Sequence, residues 1–203
     1  MIKVNTTPVV PGYPIFEYEI DISLLPSDSY WTSVVDWTKT PFNSTKISLQ
    51  DAMVDDNSII SDVYNIFNKK DVAAIIGEVA EANKELFSNL YLYDDRIFPT
   101  YASFVEKITD SPSSIVKYKP NSELSRHFDC RNCFADLITN LTNNNSSTKF
   151  YDYRNNDALI YEAPMGKGKG VVWLNCENTL HSYKNDTDLD RYVLLTTINH
   201  KFY

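Results

Sequence analysis

Two of the three histidines in this chain, His127 and His181, have neighbours that suit them to chemistry. His127 stands in Arg126-His127-Phe128-Asp129. On a strand, alternate side chains share a face, so His127 and Asp129 point one way and Phe128 the other. An imidazole nitrogen and a carboxylate oxygen placed like this reach a common point roughly 2 Å from each, which is metal-ligand geometry. Taken alone the pair is a weak signal, since a strand histidine hydrogen-bonded to a nearby acid has the same spelling. His181 comes 52 residues after Asp129, and Arg191 ten residues after that. Two imidazoles and one carboxylate on one face leave coordination positions free, the donor set of non-haem Fe(II) oxygenases. Arg191 heads the apolar run Arg191-Tyr192-Val193-Leu194-Leu195. Facing inward, it needs an anionic partner, because burying a bare charge is costly. Facing outward, it pairs with Asp188, Asp190 or another surface acid.

These residues need strands to hold them, and the sequence supplies strands where they are needed. From Ser113 onward, eight short apolar segments are separated by polar turns: SSIVKYK, ELSRHFD, CFADLITNL, KFYDY, ALIYEA, GVVWLN, LHSYK and RYVLLTTI. Separators such as NNNSS, RNND, MGKGKG and NDTDLD carry turn residues. This spacing predicts an antiparallel sandwich or jelly roll. His181 and Arg191 then lie on neighbouring strands joined by the NDTDLD loop and can flank one cavity. Upstream, Ile15–Ile22 alternates like a strand, residues 51–68 suggest a loose helix and residues 71–91 a better one. There Asp71 can cap the N-terminus, and Val72, Ile75, Ile76, Val79, Leu86 and Leu90 share a face as a core stripe. Helices followed by a run of strands point to one α+β (mainly β) domain over residues 1–203. Residues 1–110 would supply N-terminal strands and buttressing helices, and 111–200 the jelly-roll core.

The order His-x-Asp, His, Arg is far more specific than its parts, and with it the chain resembles the 2-oxoglutarate- and Fe(II)-dependent dioxygenases, most of all their prolyl 4-hydroxylase-like branch. The likeness covers about Ser113 to Ile198. YKPNSELSRHFD resembles that branch's tyrosine, glycine turn and His-x-Asp, with Tyr118 nine residues before His127 and Asn121 in the turn glycine's place. CFADLITNLTNNN is similar to its next sheet strand, and GKGKGVVWLNCENTLHSYKN to the strand leading to the distal histidine. The resemblance implies a double-stranded β-helix in which His127, Asp129 and His181 hold Fe(II). It implies 2-oxoglutarate as co-substrate, chelating the metal at one end and gripped by Arg191 at the other. Tyr118 would add a hydrogen bond to the distal carboxylate, with Thr139 or Thr196 as alternatives. Dioxygen would be the oxidant and ascorbate an accessory cofactor. The reaction would release succinate and CO2 and hydroxylate an aliphatic C–H, that of a prolyl or other protein side chain or of a free small molecule. Two departures stand out. Val193 occupies the position, two residues past the arginine, where many relatives have serine, and the first 110 residues match nothing in the branch.

The remaining features narrow the field. A net charge of −8 and no Lys/Arg run disfavour a phosphate backbone as partner. No apolar run approaches the roughly 20 residues of a membrane-crossing helix. The N-terminus lacks a secretory pattern and three cysteines give no disulfide framework, so the expected setting is a reduced cytoplasm. Cys130 and Cys133 form a C-x-x-C after Asp129. Unlinked thiols, a redox pair, or a zinc site completed by His127 and Cys176 are the readings open to it. MGKGKG lacks the phosphate-loop pattern and is expected to be a hairpin turn. Trp31, Trp37 and Trp173 are expected in the core or a pocket wall, and His200 at the surface. A jelly-roll binding or structural protein, with the metal triad accidental or stabilising, is the rival from a different class.

Overall fold

The structure is a computed structural model that describes residues 2–33, 46–48, 69–88, 113–129, 133–176 and 178–199. Eleven strands occur among them. β1 (Ile2–Val4) and β2 (Ile15–Ile20) lie near the N-terminus, and β3 is Lys46–Ser48. All eight strands anticipated from Ser113 onward are formed: β4 (Ser113–Tyr118), β5 (Glu123–His127), β6 (Cys133–Asn140), β7 (Thr148–Asp152), β8 (Ala158–Glu162), β9 (Lys169–Leu174), β10 (Leu180–Lys184) and β11 (Arg191–Asn199). They build a seven-stranded sheet in the order β1-β2-β9-β6-β11-β4-β3 and a four-stranded sheet in the order β5-β10-β7-β8. Every pairing is antiparallel. The chain from β4 onward passes back and forth between the two sheets, as in a jelly-roll-like sandwich.

Strand alternation divides the core into two layers. Ile15, Val116, Ile138, Val171, Trp173 and Val193 of the large sheet meet Phe150 and Ala163 from the side of the small one. The opposite face of the large sheet carries Phe16, Tyr18, Ile20, Leu137, Val172, Leu174 and Leu194. It is covered by helix α2 (Lys69–Ala82) through Val72, Ile75, Ile76 and Val79. The helical stripe expected from the sequence is therefore core. Asp71 is not its N-cap, because the helix starts at Lys69 and Asp71 sits inside the first turn. The expected single helix over 71–91 is interrupted at Asn83, after which α3 runs Lys84–Ser88. Asn83 donates from Nδ2 to the carbonyls of Val79 (2.8 Å) and Thr6 (2.6 Å), satisfying a helix-end acceptor and tying it to the N-terminal segment. A short helix α1 (Asp28–Ser33) carries Trp31, fully buried in the same layer. The helix expected over 51–68, Leu90, Trp37 and His200 lie outside the described residues.

β1 and β3 are three residues long each, too short for their alternation to stand out in the sequence. The strand expected over Ile15–Ile22 ends at Ile20, because Asp21 caps a 3-10 turn by accepting from the Ser23 N–H. MGKGKG is a turn but not that of a hairpin: it leads from β8 in the small sheet to β9 in the large one, with Gly166 and Gly168 at positive φ. A Cβ on Gly168 would meet the Ile20 carbonyl oxygen at 2.6 Å. Gly170, directly opposite Tyr18, leaves room for the tyrosine ring, which a Cβ there would strike. Trp173 and Val193 face the space between the sheets, and that space holds the site.

Candidate metal and anion site

β5 and β10 pair so that His127 and His181 are direct cross-strand partners, with ring centroids 4.4 Å apart. Antiparallel pairing thus closes the long sequence gap between them. Asp129 follows the end of β5 and faces both rings: its Oδ1 lies 3.8 Å from His127 Nε2 and its Oδ2 3.5 Å from His181 Nε2. One ligand atom from each of the three residues falls within 4.8 Å of the others. This is the one such group of His, Cys, Asp or Glu among the described residues.

Each imidazole is oriented from behind. His127 Nδ1 lies 2.8 Å from the Ser125 carbonyl and His181 Nδ1 2.9 Å from that of Thr179. A carbonyl only accepts, so Nδ1 carries a proton and Nε2 is the ring nitrogen that faces Asp129. The Thr179 carbonyl is itself held in a tight turn, whose hydroxyl bonds the backbone of Leu174 and Cys176. Burial pushes the His181 pKa down to about 4, keeping the ring neutral and ready to ligate. Burial also raises the Asp129 pKa, opposed by a hydrogen bond from Trp173 Nε1 to Oδ2 at 3.1 Å. Two imidazoles and a carboxylate form a donor set that fits a divalent cation.

Behind Asp129 lies a second acid, Asp136 on β6, 3% exposed. It accepts from Asn175 Nδ2 at 2.6 Å and Thr197 Oγ1 at 2.5 Å. Burial, reinforced by the Asp129 charge, raises its pKa to about 7.

Arg191 is the other pole of the site. It is 1% exposed, so the surface pairing with Asp188 or Asp190 does not occur; Asp190 bridges to Lys117 at 2.9 Å instead. Its Nε and Nη2 donate to one neutral acceptor, Asn140 Oδ1, at 2.9 and 2.7 Å. The Tyr183 ring lies over the guanidinium, 4.5 Å from Cζ to the ring centroid. Nη1 is buried with no hydrogen-bond partner among the described residues. Among the described residues no carboxylate lies against this buried guanidinium, an arrangement suited to an anion.

Tyr118 is Arg191's direct partner on β4, and its ring packs 4.3 Å from that of Tyr183. It therefore lies beside Arg191. Thr139 and Thr196 do not. Alternation turns both to the far face of the sheet, where Thr139 bonds the Tyr18 hydroxyl (2.7 Å) and Thr196 the Ser113 hydroxyl (2.8 Å). Val193 sits in the inter-sheet core. His181 and Tyr183 are two residues apart on one strand, so the triad and the arginine are served by one face of β10. Asn121 adopts φ 60°, the left-handed conformation for which glycine is usual.

The zinc alternative gains nothing from Cys176, which is buried, has its thiol pKa raised by burial, and is outside the triad's group of ligand atoms. Cys130 lies outside the described residues. Four contributors were missed by sequence reasoning: Trp173, Asn140, Tyr183 and Asp136. Trp173 is buried between the sheets, in keeping with the core or pocket-wall place its sequence suggests, but its bond to Asp129 carries no sequence signal. Asn140 and Asp136 share the inner face of β6 with Ile138, two residues apart in each case, a regularity visible only once that face is known to be internal.

No protein-family model matches the sequence, and no curated protein matches it. Solved structures do match in fold. A Pseudomonas putida prolyl-4-hydroxylase superposes with a TM-score of 0.54 at 13% identity, over 94% of each chain. A prolyl 4-hydroxylase from Phytophthora capsici superposes with a TM-score of 0.57 at 8% identity, over 93% of this chain and 59% of that one. The expected likeness to the prolyl 4-hydroxylase-like branch is thus present in three dimensions. At these identities it defines the fold.

Proposed function

We propose that this chain is an Fe(II)- and 2-oxoglutarate-dependent dioxygenase built on a double-stranded β-helix, with residues 1–203 forming one catalytic domain. The observation that carries the reading is the pairing of a His127/Asp129/His181 donor set with a buried, anion-seeking Arg191 across one face of β10. A metal triad alone would suit many roles. A second pole that seeks a carboxylate specifies a ligand with two functional ends. When bound, the iron and 2-oxoglutarate supply O2-dependent decarboxylation to succinate and CO2, coupled to hydroxylation of an aliphatic C–H.

The chain's own residues do the rest. His127 and His181 present Nε2 to the metal because backbone carbonyls hold Nδ1–H. Asp129 completes the face, steadied by the Trp173 N–H. Arg191 fixes the distal carboxylate through Nη1, and Tyr118 and Tyr183 wall that end from water. Val193, Ile138 and Val171 keep the space between the poles apolar. A prolyl or other protein side chain is the proposed substrate, with prolyl supported by the two hydroxylases that share the fold.

The test is anaerobic titration of Fe(II)-loaded protein with 2-oxoglutarate, following the weak visible charge-transfer band of the chelate. A saturable band is expected, lost in Asp129→Ala and shifted to far higher 2-oxoglutarate in Arg191→Ala. No band in the wild-type protein overturns the reading and favours the metal-binding or structural alternative.

A further inference from the structure

We propose that Asn140 is the positioning residue that makes Arg191 an anion site: its amide oxygen fixes the guanidinium without neutralising it. The proposal rests on the dioxygenase reading of that pole and adds a residue to it. Asn140 is buried at the end of β6, and its side chain is fully specified. Nδ2 donates to the carbonyls of Pro164 (3.1 Å) and Lys169 (3.2 Å). Because a carbonyl cannot donate, the amide nitrogen must face those two groups and the oxygen must face Arg191. That oxygen takes both Nε–H and Nη2–H, at 2.9 and 2.7 Å. The guanidinium plane is thereby set, and Nη1 is the nitrogen left without a partner.

The choice of an amide over a carboxylate decides the chemistry. An aspartate in the same place would make the same two contacts and cancel the charge, leaving no electrostatic reason for a ligand carboxylate to enter. A neutral acceptor leaves the full positive charge for the ligand. The Tyr183 ring closes one face of the guanidinium and is anchored by its hydroxyl to Ser146 Oγ at 3.0 Å. Ligand carboxylate therefore approaches in the guanidinium plane, at the edge that Asn140 leaves open.

Asn140→Asp and Asn140→Leu separate charge from structure, since both lose the two Nδ2 donors. The readout is anaerobic calorimetric titration of the Fe(II)-loaded proteins with 2-oxoglutarate, and with pyruvate, a 2-oxo acid that lacks the distal carboxylate. Asn140→Asp is expected to weaken 2-oxoglutarate binding at least tenfold more than Asn140→Leu, with pyruvate binding and Fe(II) affinity alike in all three proteins. Equal or tighter 2-oxoglutarate binding by Asn140→Asp overturns the proposal. Should Asn140→Asp not fold, Asn140→Ser replaces it as a neutral acceptor, and it must then bind 2-oxoglutarate more tightly than Asn140→Leu. Nitrogen-15 NMR of arginine side chains tests the orientation without any ligand. Arg191 should give resolved, slowly rotating guanidinium signals in the wild type and averaged ones in Asn140→Leu, and averaged signals in both would refute it. Failure of wild-type protein to bind 2-oxoglutarate, with the NMR signature intact, counts against the dioxygenase reading and leaves Asn140's hold on Arg191 standing.

Discussion

Trp173→Phe removes a side-chain hydrogen-bond donor to Asp129, the proposed carboxylate ligand. The indole Nε1–H donates to Asp129 Oδ2 at 3.1 Å, while its ring packs edge-on to Phe150 (5.4 Å between centroids) and beside His181 (5.0 Å). Phenylalanine keeps an aromatic ring in the core and deletes the donor. A hydrogen bond to a charged group contributes about 1.5–3 kcal/mol, and about 1.4 kcal/mol is tenfold in a binding constant. Fe(II) affinity should therefore fall between roughly tenfold and a hundredfold, the range found when a partner behind a metal ligand is lost. The loss should deepen as the pH is lowered. Burial already raises the Asp129 pKa, and the indole bond opposes it, so without that bond the proton competes with the metal at higher pH. The assay is anaerobic calorimetry with Fe(II), and with Mn(II) as a redox-stable check, across pH 6 to 8. Thermal melts of the metal-free proteins separate any loss of packing. Unchanged affinity at every pH in a folded variant would refute the role assigned to Trp173.

Two other substitutions probe the rest of the frame. Tyr18→Phe removes a buried hydroxyl bonded to Thr139 on the helix-facing side of the sheet and should cost about 1 kcal/mol of stability. Fe(II) and 2-oxoglutarate affinities should be unchanged, and denaturant unfolding with parallel titrations checks both. Asp136→Asn tests the acid behind Asp129. Its pKa is raised in the folded protein to about 7 from 3.8, so the stability linked to its proton is full below pH 3.8 and lost as pH rises through 7. Metal-free wild type should lose stability relative to the variant between pH 5 and 8. His181, depressed to about 4 from 6.5, adds a slope of opposite sign below pH 6.5, and because its charge interacts with that of Asp136 the difference between the two proteins is read above that pH. Parallel stability curves would show that Asp136 is ionised throughout.

The eight strands from Ser113 to Asn199 were legible because each is a short apolar run bounded by turn residues, a local property. The triad was legible because His-x-Asp is a two-residue repeat on a strand, and because its distance to His181 and Arg191 is a pattern that a family shares. Sequence also marked Arg191 as a residue with two fates, surface ion pair or anion receptor. Only the tertiary structure showed it to be buried, since burial depends on which sheet face covers the guanidinium. It likewise assigned Thr139 and Thr196 to the far face, although their sequence positions allowed either side. Asn140, Trp173, Tyr183 and Asp136 stayed silent in the sequence because nothing local distinguishes them from ordinary strand residues. Their roles arise from cross-strand register: Arg191 reaches Asn140 across 51 positions and Trp173 reaches Asp129 across 44. Local patterning thus determined the elements and the candidate metal ligands, while strand pairing decided how the charges of the site are oriented, shielded or left open.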